Sequence, residues 1–390
     1  MNTSLSRCDI FCSVVDNFGD IGICWRLARQ LVAEHQLQLT LWVDDLQSFQ
    51  RICPQVQPQL ARQVIAGVDV RHWREQLPPL KAEDLPDLLI EALACTVPVD
   101  YLQLLSEHRP DAVWLNLEYL SAESWIEGCH GLASPQSQVS IAKYFFFPGF
   151  NSNTGGLLRE QSLVAQLSQF SEDPQAQHQF WQQLGIADAM GFNQKISLFS
   201  YEQQAIAQLV SQLANADSSS LLLVPQGMLA EQLRQLYPQL QQQSVWQTGQ
   251  LRLHILSFMP QPQYDYLLAA CDINFVRGED SIIRAQWAGK PFIWQIYRQE
   301  EQAHQVKLSA FLQQYLQQAP TELATLLQQL HQHWDLELPL LDLWPQLLQN
   351  QQKIASYNRQ WRQYLTSQQD LASNLVRFAE NKFIMPRNFS

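Results

Sequence analysis

No apolar run in this chain of 390 residues reaches the about 18 residues that a membrane-spanning helix needs. A signal peptide is not expected either, because Asp9 and Asp16 break the first apolar segment and no small-residue cleavage site follows. The seven cysteines are odd in number and include no C-x-x-C pair, which fits reduced thiols rather than a disulfide or zinc framework. The nine histidines are scattered, and even His331 and His333 have no ligand partners nearby in sequence, so no metal is expected. A soluble, cytoplasmic protein is the expectation.

Charge is also scarce. Only 16% of residues are Asp, Glu, Lys or Arg, and the formal net charge is -12. That balance argues against nucleic acid or an anionic membrane as partner and suits a cationic substrate. Glutamine supplies much of the polar surface, scattered through helical patterns rather than gathered in a prion-like tract.

What is present is a packed globule, with 46% hydrophobic residues and 12 Trp, and the length suggests two domains. Residues 10–15 read as a strand, 16–22 as a loop, 23–34 as a helix and 37–43 as a second strand, a βαβ opening that predicts a parallel sheet. The pattern continues through strands at 63–70, 87–90, 112–116 and 140–146. Residues 161–184 read as helix. A second series follows, with strands at 195–201, 220–225, 251–256 and 273–276 and helices at 203–214, 228–237 and 263–270. The tail from 321 to 383 is helical. Expected domains are therefore 1–190, completed by a returning C-terminal helix at 371–390, and 191–370. Two such α/β domains facing each other leave a cleft at the carboxyl ends of their strands, where ligands bind in sheets of this kind.

Asp16-Asn17-Phe18-Gly19-Asp20-Ile21-Gly22 stands where a dinucleotide-binding domain would carry G-x-G-x-x-G. That fingerprint is absent, and two carboxylates would repel a pyrophosphate. A base or a cation binder is more natural, although Asp16 or Asp20 acting only as cap of the helix at Ile23 stays open. In the second domain, Arg277-Gly278-Glu279-Asp280-Ser281 reads as a strand-to-helix turn. Gly278 permits a positive φ, Asp280 or Ser281 can cap the helix, and its first N–H groups make a seat for phosphate. Glu279 is a third carboxylate. An anion site, a carboxylate beside it and a base on the opposite wall are what nucleotide-sugar glycosyl transfer requires. Phe199 and Tyr201 either set a ring against a base or pack in the core with Tyr exposed, and Gln261, placed at the end of a strand region, can bond a base edge.

These motifs, together with Phe145-Phe146-Phe147-Pro148-Gly149-Phe150, Thr154-Gly155-Gly156 and Arg284-Ala285-Gln286-Trp287-Ala288-Gly289-Lys290-Pro291, resemble the bacterial protein-arginine rhamnosyltransferases that modify elongation factor P. The resemblance runs from the first strand to about Tyr297 and more weakly beyond. It implies a GT-B fold, two facing Rossmann-like domains with an interdomain cleft. It also implies an inverting, metal-independent transferase without a cofactor, moving L-rhamnose from the nucleotide sugar dTDP-β-L-rhamnose to an arginine nitrogen of elongation factor P. By the same resemblance Asp20 is the general base, Asp16 a second essential carboxylate and Glu279 the other catalytic acid residue. Asn17, Phe18, Gly19, Phe199, Tyr201, Gln261, Arg277, Gly278, Asp280 and Ser281 match the donor-binding segments. Arg298 departs from the pattern, where Pro is expected after Tyr297.

Arginine is a poor nucleophile, since its guanidinium keeps its proton to a pKa above ~12. A carboxylate can bind that cation, orient one nitrogen and take a proton as the C–N bond forms. A transferase using another nucleotide sugar or a small acceptor, and a non-catalytic nucleotide-sugar binder, remain alternatives. Because the acceptor is itself expected to be acidic, a basic surface patch from Arg26, Arg29 and residues 71–74 is expected to receive it.

Overall fold

The computed structural model describes residues 5–15, 18–73, 77, 79–298 and 303–384. The expectations for Asp16, Asn17 and Arg74 lie outside the described residues. The chain divides into two compact units, Met1–Gln161 with Leu365–Ser390, and Ser162–Tyr364.

Unit 1 holds β1 (Arg7–Cys12), α1 (Gly19–His35), β2 (Gln38–Val43), α2 (Leu46–Ile52), β3 (Arg62–Ile65), β4 (Val68–His72), β5 (Leu88–Ala92), α3 (Val99–His108), β6 (Val113–Leu117), α4 (Trp125–Cys129), β7 (Ala133–Ser134) and β8 (Lys143–Phe146). Its sheet runs β3-β4-β2-β1-β5-β6-β8-β7. All its pairs are parallel except β3 with β4 and β7 with β8. The period of two along β1 feeds two cores: Cys8, Ile10 and Cys12 pack with Leu27 and Leu31 of α1, while Phe11 faces Trp42 and Tyr101. Helices therefore cover both faces, as a parallel sheet requires. Residues 63–70 form a hairpin rather than one strand, because Ala66 and Gly67 both turn left-handed, with φ of 50° and 81°.

One buried carboxylate in this unit is Asp9, whose Oδ2 accepts from Trp42 Nε1 at 2.8 Å and from Tyr101 OH at 2.7 Å. Burial pushes its carboxyl up to about 6 despite those bonds. The expected basic patch is not formed by Arg26, which is 1% exposed on the inner face of α1 with Nη1 3.8 Å from Glu160. Arg71 is half-buried and bound to Asp69 at 2.7 Å.

Unit 2 holds α5 (Leu163–Glu172), α6 (Pro174–Gln183), β9 (Gln194–Leu198), α7 (Ile206–Ala214), β10 (Ser220–Pro225), α8 (Met228–Leu236), β11 (Val245–Thr248), β12 (Leu251–Leu256), α9 (Gln261–Ala270), β13 (Ile273–Arg277), α10 (Asp280–Ala288), β14 (Phe292–Gln295), α11 (Ala303–Tyr315) and α12 (Thr321–Asp335), with α13 (Leu343–Thr366) running to its end. The sheet order is β11-β12-β10-β9-β13-β14, parallel but for β11. The expected single helix at 161–184 is two, because Asp173 caps α6 through Gln175 N and Ala176 N, at 2.9 and 3.0 Å, and Pro174 takes the first helical position. These helices belong to unit 2, so the boundary falls after Gln161 instead of at 190. Phe170 of α5 packs its ring 4.9 Å from Tyr266 of α9. The neighbouring α9 and α10 are joined by a forked pair, Arg284 Nε to Asp265 Oδ1 at 3.0 Å and Nη2 to Oδ2 at 2.7 Å, both side chains nearly fully buried.

The last described element, α14 (Leu371–Ile384), returns to unit 1. Leu371, Ala372, Leu375, Val376 and Ala379 recur at helical spacing and complete the core that includes β1 and α1. Leu371 N donates to Leu157 O at 2.9 Å and Gln30 Nε2 to Asp370 Oδ1 at 3.1 Å, tying the returning segment down. Cutting Leu375 to Ala would cost about 2–5 kcal/mol, since it is fully buried.

Candidate active site

In unit 1 the carboxyl ends of β1, β5 and β6 meet around Asp20. Helix α1 starts at Gly19 rather than at Ile23, which puts Asp20 in its first turn. Phe18 is the N-cap residue, without a side-chain cap bond, so Asp20 does not cap a helix at Ile23. Its Oδ2 accepts the Val15 N–H at 2.9 Å and the residue is 2% exposed. The Tyr119 hydroxyl, just past β6, lies 3.5 Å from Asp20 Oδ1 and 3.1 Å from the carbonyl of Leu93. Leu93 and Ala94 both take left-handed backbone, φ 54° and 60°, a costly conformation for residues with a Cβ. The Cys12 thiol, at the end of β1, is held well above its usual value by its hydrogen bond with Cys24, then by burial and by the charges of Cys24 and Asp20. The Phe18 ring lies 5.9 Å below the Arg51 guanidinium.

The candidate site in unit 2 collects the carboxyl ends of β9, β10, β13 and β14. After β13 the chain turns at Gly278, whose φ of 59° falls in the left-handed region. Gly278 N donates to Gln295 O at 3.3 Å, and Trp294 Nε1 donates to Gly278 O at 2.8 Å. Glu279, in place of Asp280 or Ser281, takes the N-cap position of α10, and its side chain makes no cap bond. Ser281 instead bonds back across the turn: its hydroxyl accepts from Arg277 N at 3.0 Å and donates to Arg277 O. Asp280 is the first residue of α10.

The Arg277 side chain lies among rings. Its guanidinium carbon is 4.5 Å from the Phe199 ring centroid and 4.6 Å from that of Tyr201, and Nη1 is 3.7 Å from Met228 Sδ. Phe199 and Tyr201 come just after β9, and both set their rings against the Arg277 cation. Tyr201 also meets Tyr297 edge-on at 5.7 Å, and Phe199 meets Tyr264 in the same way at 5.7 Å. Burial pushes the Tyr264 hydroxyl far up from its usual value. Gln261 does not end a strand; it opens α9 behind Pro260 and is 8% exposed.

Met228, Trp294 and Gln295 also shape this half-site, and the sequence reading did not single them out. Met228 follows Gly227 at the β10–α8 turn, a position that the strand-end rule picks out. Gln295 carries no such signal in a Gln-rich chain. Among the described residues no group of three or more His, Cys, Asp or Glu could hold a metal ion, and no helix is long and apolar enough to cross a membrane.

Chemically, unit 2 offers a cation, a left-handed turn and the N-terminus of a nine-residue helix, a set that suits a diphosphate. Unit 1 offers a carboxylate held in place at a strand end.

The model of the family described as elongation factor P rhamnosyltransferase EarP matches residues 8–380. A protein-arginine rhamnosyltransferase of Pseudomonas aeruginosa is 45% identical over 374 residues, 95% of this chain and 98% of the relative. One of Shewanella oneidensis is 41% identical over 395 residues, 97% and 99% of the two chains. Among solved structures, one described as the structural basis for EarP-mediated arginine glycosylation of translation elongation factor EF-P is similar over 96% of this chain and 99% of its own, with a TM-score of 0.68 and 32% identity.

Proposed function

The chain belongs to the elongation factor P rhamnosyltransferase family, a GT-B glycosyltransferase family, and from that premise we propose how its two half-sites divide the reaction. The donor is dTDP-β-L-rhamnose, bound by unit 2, and the acceptor is an arginine of elongation factor P, received by unit 1 in the cytoplasm. The observation that carries this reading is the Arg277 guanidinium, set between Phe199 and Tyr201 at the start of α10.

In the reaction an arginine nitrogen attacks the anomeric carbon from the face opposite the diphosphate. The C–N bond forms as the C–O bond to the diphosphate breaks, and dTDP leaves with the bonding electrons. The proton lost by the guanidinium passes to Asp20, which first bonds the cation and orients one nitrogen. Inversion converts the β-linked donor into an α-linked product. Arg277 and the first amides of α10 meet the charge that grows on the diphosphate, stabilisation already in place before the bond breaks. Gly278 lets the main chain approach closely, and Ser281 locks the turn. Glu279 faces the sugar rather than the phosphate, because a carboxylate beside a diphosphate is repelled. By the family resemblance Asp16 is a second essential carboxylate, Asn17, Phe18 and Gly19 belong to the donor-binding segment, and Gln261 bonds the base edge.

The test is to incubate elongation factor P with this protein and dTDP-rhamnose and to map the product by mass spectrometry. One deoxyhexose on a single arginine is expected. An unmodified acceptor with a donor that demonstrably binds would overturn the assignment.

A further inference from the structure

Gln295, the last residue of β14, is 2% exposed, and it touches both walls of the donor half-site. Its Oε1 accepts two hydrogen bonds, one from the Ser200 hydroxyl and one from the Tyr201 N–H at 3.0 Å. Its own carbonyl accepts the Gly278 N–H at 3.3 Å. One residue thus fixes the backbone of Tyr201, whose ring carries the Arg277 cation at 4.6 Å, and the backbone of the turn that opens α10. Ser200 and Tyr201 lie beyond β9, so the side-chain amide of Gln295, not the sheet ladder, sets their positions. The Gly278 N–H is taken by the backbone carbonyl of Gln295, one step past the pairing of that residue with Arg277.

We propose that Gln295 is a positioning residue for the nucleotide-sugar donor, holding the Tyr201 ring and the Gly278 turn at the spacing that keeps the Arg277 guanidinium presented to the diphosphate. This rests on the donor reading above. An amide suits the position better than a charged side chain would. A carboxylate would bring negative charge beneath a diphosphate seat, and a cation could not accept two bonds. A buried acceptor with two donors also has a definite cost of removal, since both donors are stranded when it goes.

Gln295→Met keeps the length of the side chain and removes the acceptor. Ser200→Ala removes one of the two donors and leaves Gln295 in place. Amide hydrogen exchange at Tyr201 in the full-length protein reads the positioning directly, whatever the donor is. Titration with dTDP and steady-state kinetics with dTDP-rhamnose and elongation factor P read its consequence. Exchange at Tyr201 should quicken about tenfold in Gln295→Met, with dTDP affinity and donor KM worsening by a similar factor and kcat at saturating donor staying within about twofold. Acceptor KM should not move. Ser200→Ala should show the same split more weakly, and Gln295→Glu, which keeps an acceptor at that point, should restore Tyr201 protection.

Wild-type exchange at Tyr201 in Gln295→Met would overturn the proposal, and so would faster exchange with unchanged donor KM. If Gln295→Met fails to fold, Ser200→Ala decides by the same two readouts. Failure of the wild-type protein to bind dTDP would instead sink the donor reading, and the exchange data would still decide whether Gln295 holds Tyr201.

Discussion

In unit 2 the turn from Arg277 to Ser281 is tied by its own Ser281 and by the adjacent strand β14, whereas in unit 1 Asp20 is held by groups from separate stretches of chain. Ser281 bonds both the N–H and the carbonyl of Arg277. Asp20 takes the Val15 N–H from the preceding loop and lies beside Tyr119, whose hydroxyl is also anchored near the carbonyl of Leu93. The first plan builds a turn from five contiguous residues backed by one strand. The second lets three strand ends place one carboxylate.

Two buried carboxylates also differ in what meets them. Asp265 in unit 2 is met by a forked arginine. Asp9 in unit 1 accepts from the neutral donors Trp42 and Tyr101. Arg277 reverses the usual pairing, since rings and a thioether surround it. Asp265 is thus matched by opposite charge, whereas the Arg277 cation is held against ring faces and a thioether.

Four substitutions sharpen this contrast. Asp20→Asn keeps the shape of the base and removes its charge, so transfer to elongation factor P should fall by about 10²–10⁴-fold while dTDP affinity in a calorimeter is unchanged. Equal loss of donor binding would mean that the two half-sites do not divide the work. Asp9→Asn removes a buried charge and keeps an acceptor for both donors. The folded carboxyl is raised to about 6, so its contribution to stability is complete below its ordinary value of 3.8 and is lost as pH rises through about 6. The variant should therefore lose the decline in stability between about pH 4 and 6 and gain up to about 3 kcal/mol at pH 8, read by urea unfolding at a series of pH values.

Arg277→Met should weaken dTDP roughly ten- to a hundredfold, the value of a charged hydrogen bond, without altering acceptor KM. A wild-type donor affinity there would refute the ring-held cation as a phosphate ligand. The smallest effect is expected from Gly278→Ala, about 1 kcal/mol of stability for placing a Cβ at φ 59°, measured by thermal unfolding. A loss far above that would mean that the turn bears more of the frame than its local bonds suggest.

The difference between the half-sites explains what the sequence made legible. Alternating and continuous apolar runs revealed nearly every central strand, and the donor turn is contiguous, so Arg277 to Ser281 could be read directly. The parts that depended on packing could not. Either Asp280 or Ser281 suits a cap on sequence grounds, but Glu279 takes the cap position and the Ser281 hydroxyl reaches the backbone of Arg277. Arg26 looked like surface because arginine usually is, yet the face of α1 that carries it is covered and Glu160 lies near it. Tyr119 is 99 positions from Asp20 and no periodicity connects them. The hairpin at Ala66 and Gly67 was missed because its two-residue turn interrupts a pattern that otherwise alternates like one strand.

The return of α14 to unit 1 has a consequence for how the protein is made. On the ribosome, the residues of β1 and α1 emerge first, but the helix that covers them is encoded at the far end, beyond all of unit 2. At a synthesis rate of about 5–20 residues per second, the unit carrying Asp20 waits roughly ten to forty seconds with an apolar face uncovered while unit 2 is translated. A chain released early would thus contain Asp20 and still lack the helix that completes the core beneath β1 and α1. Synthesis of α14 is the step that seals the first-made unit.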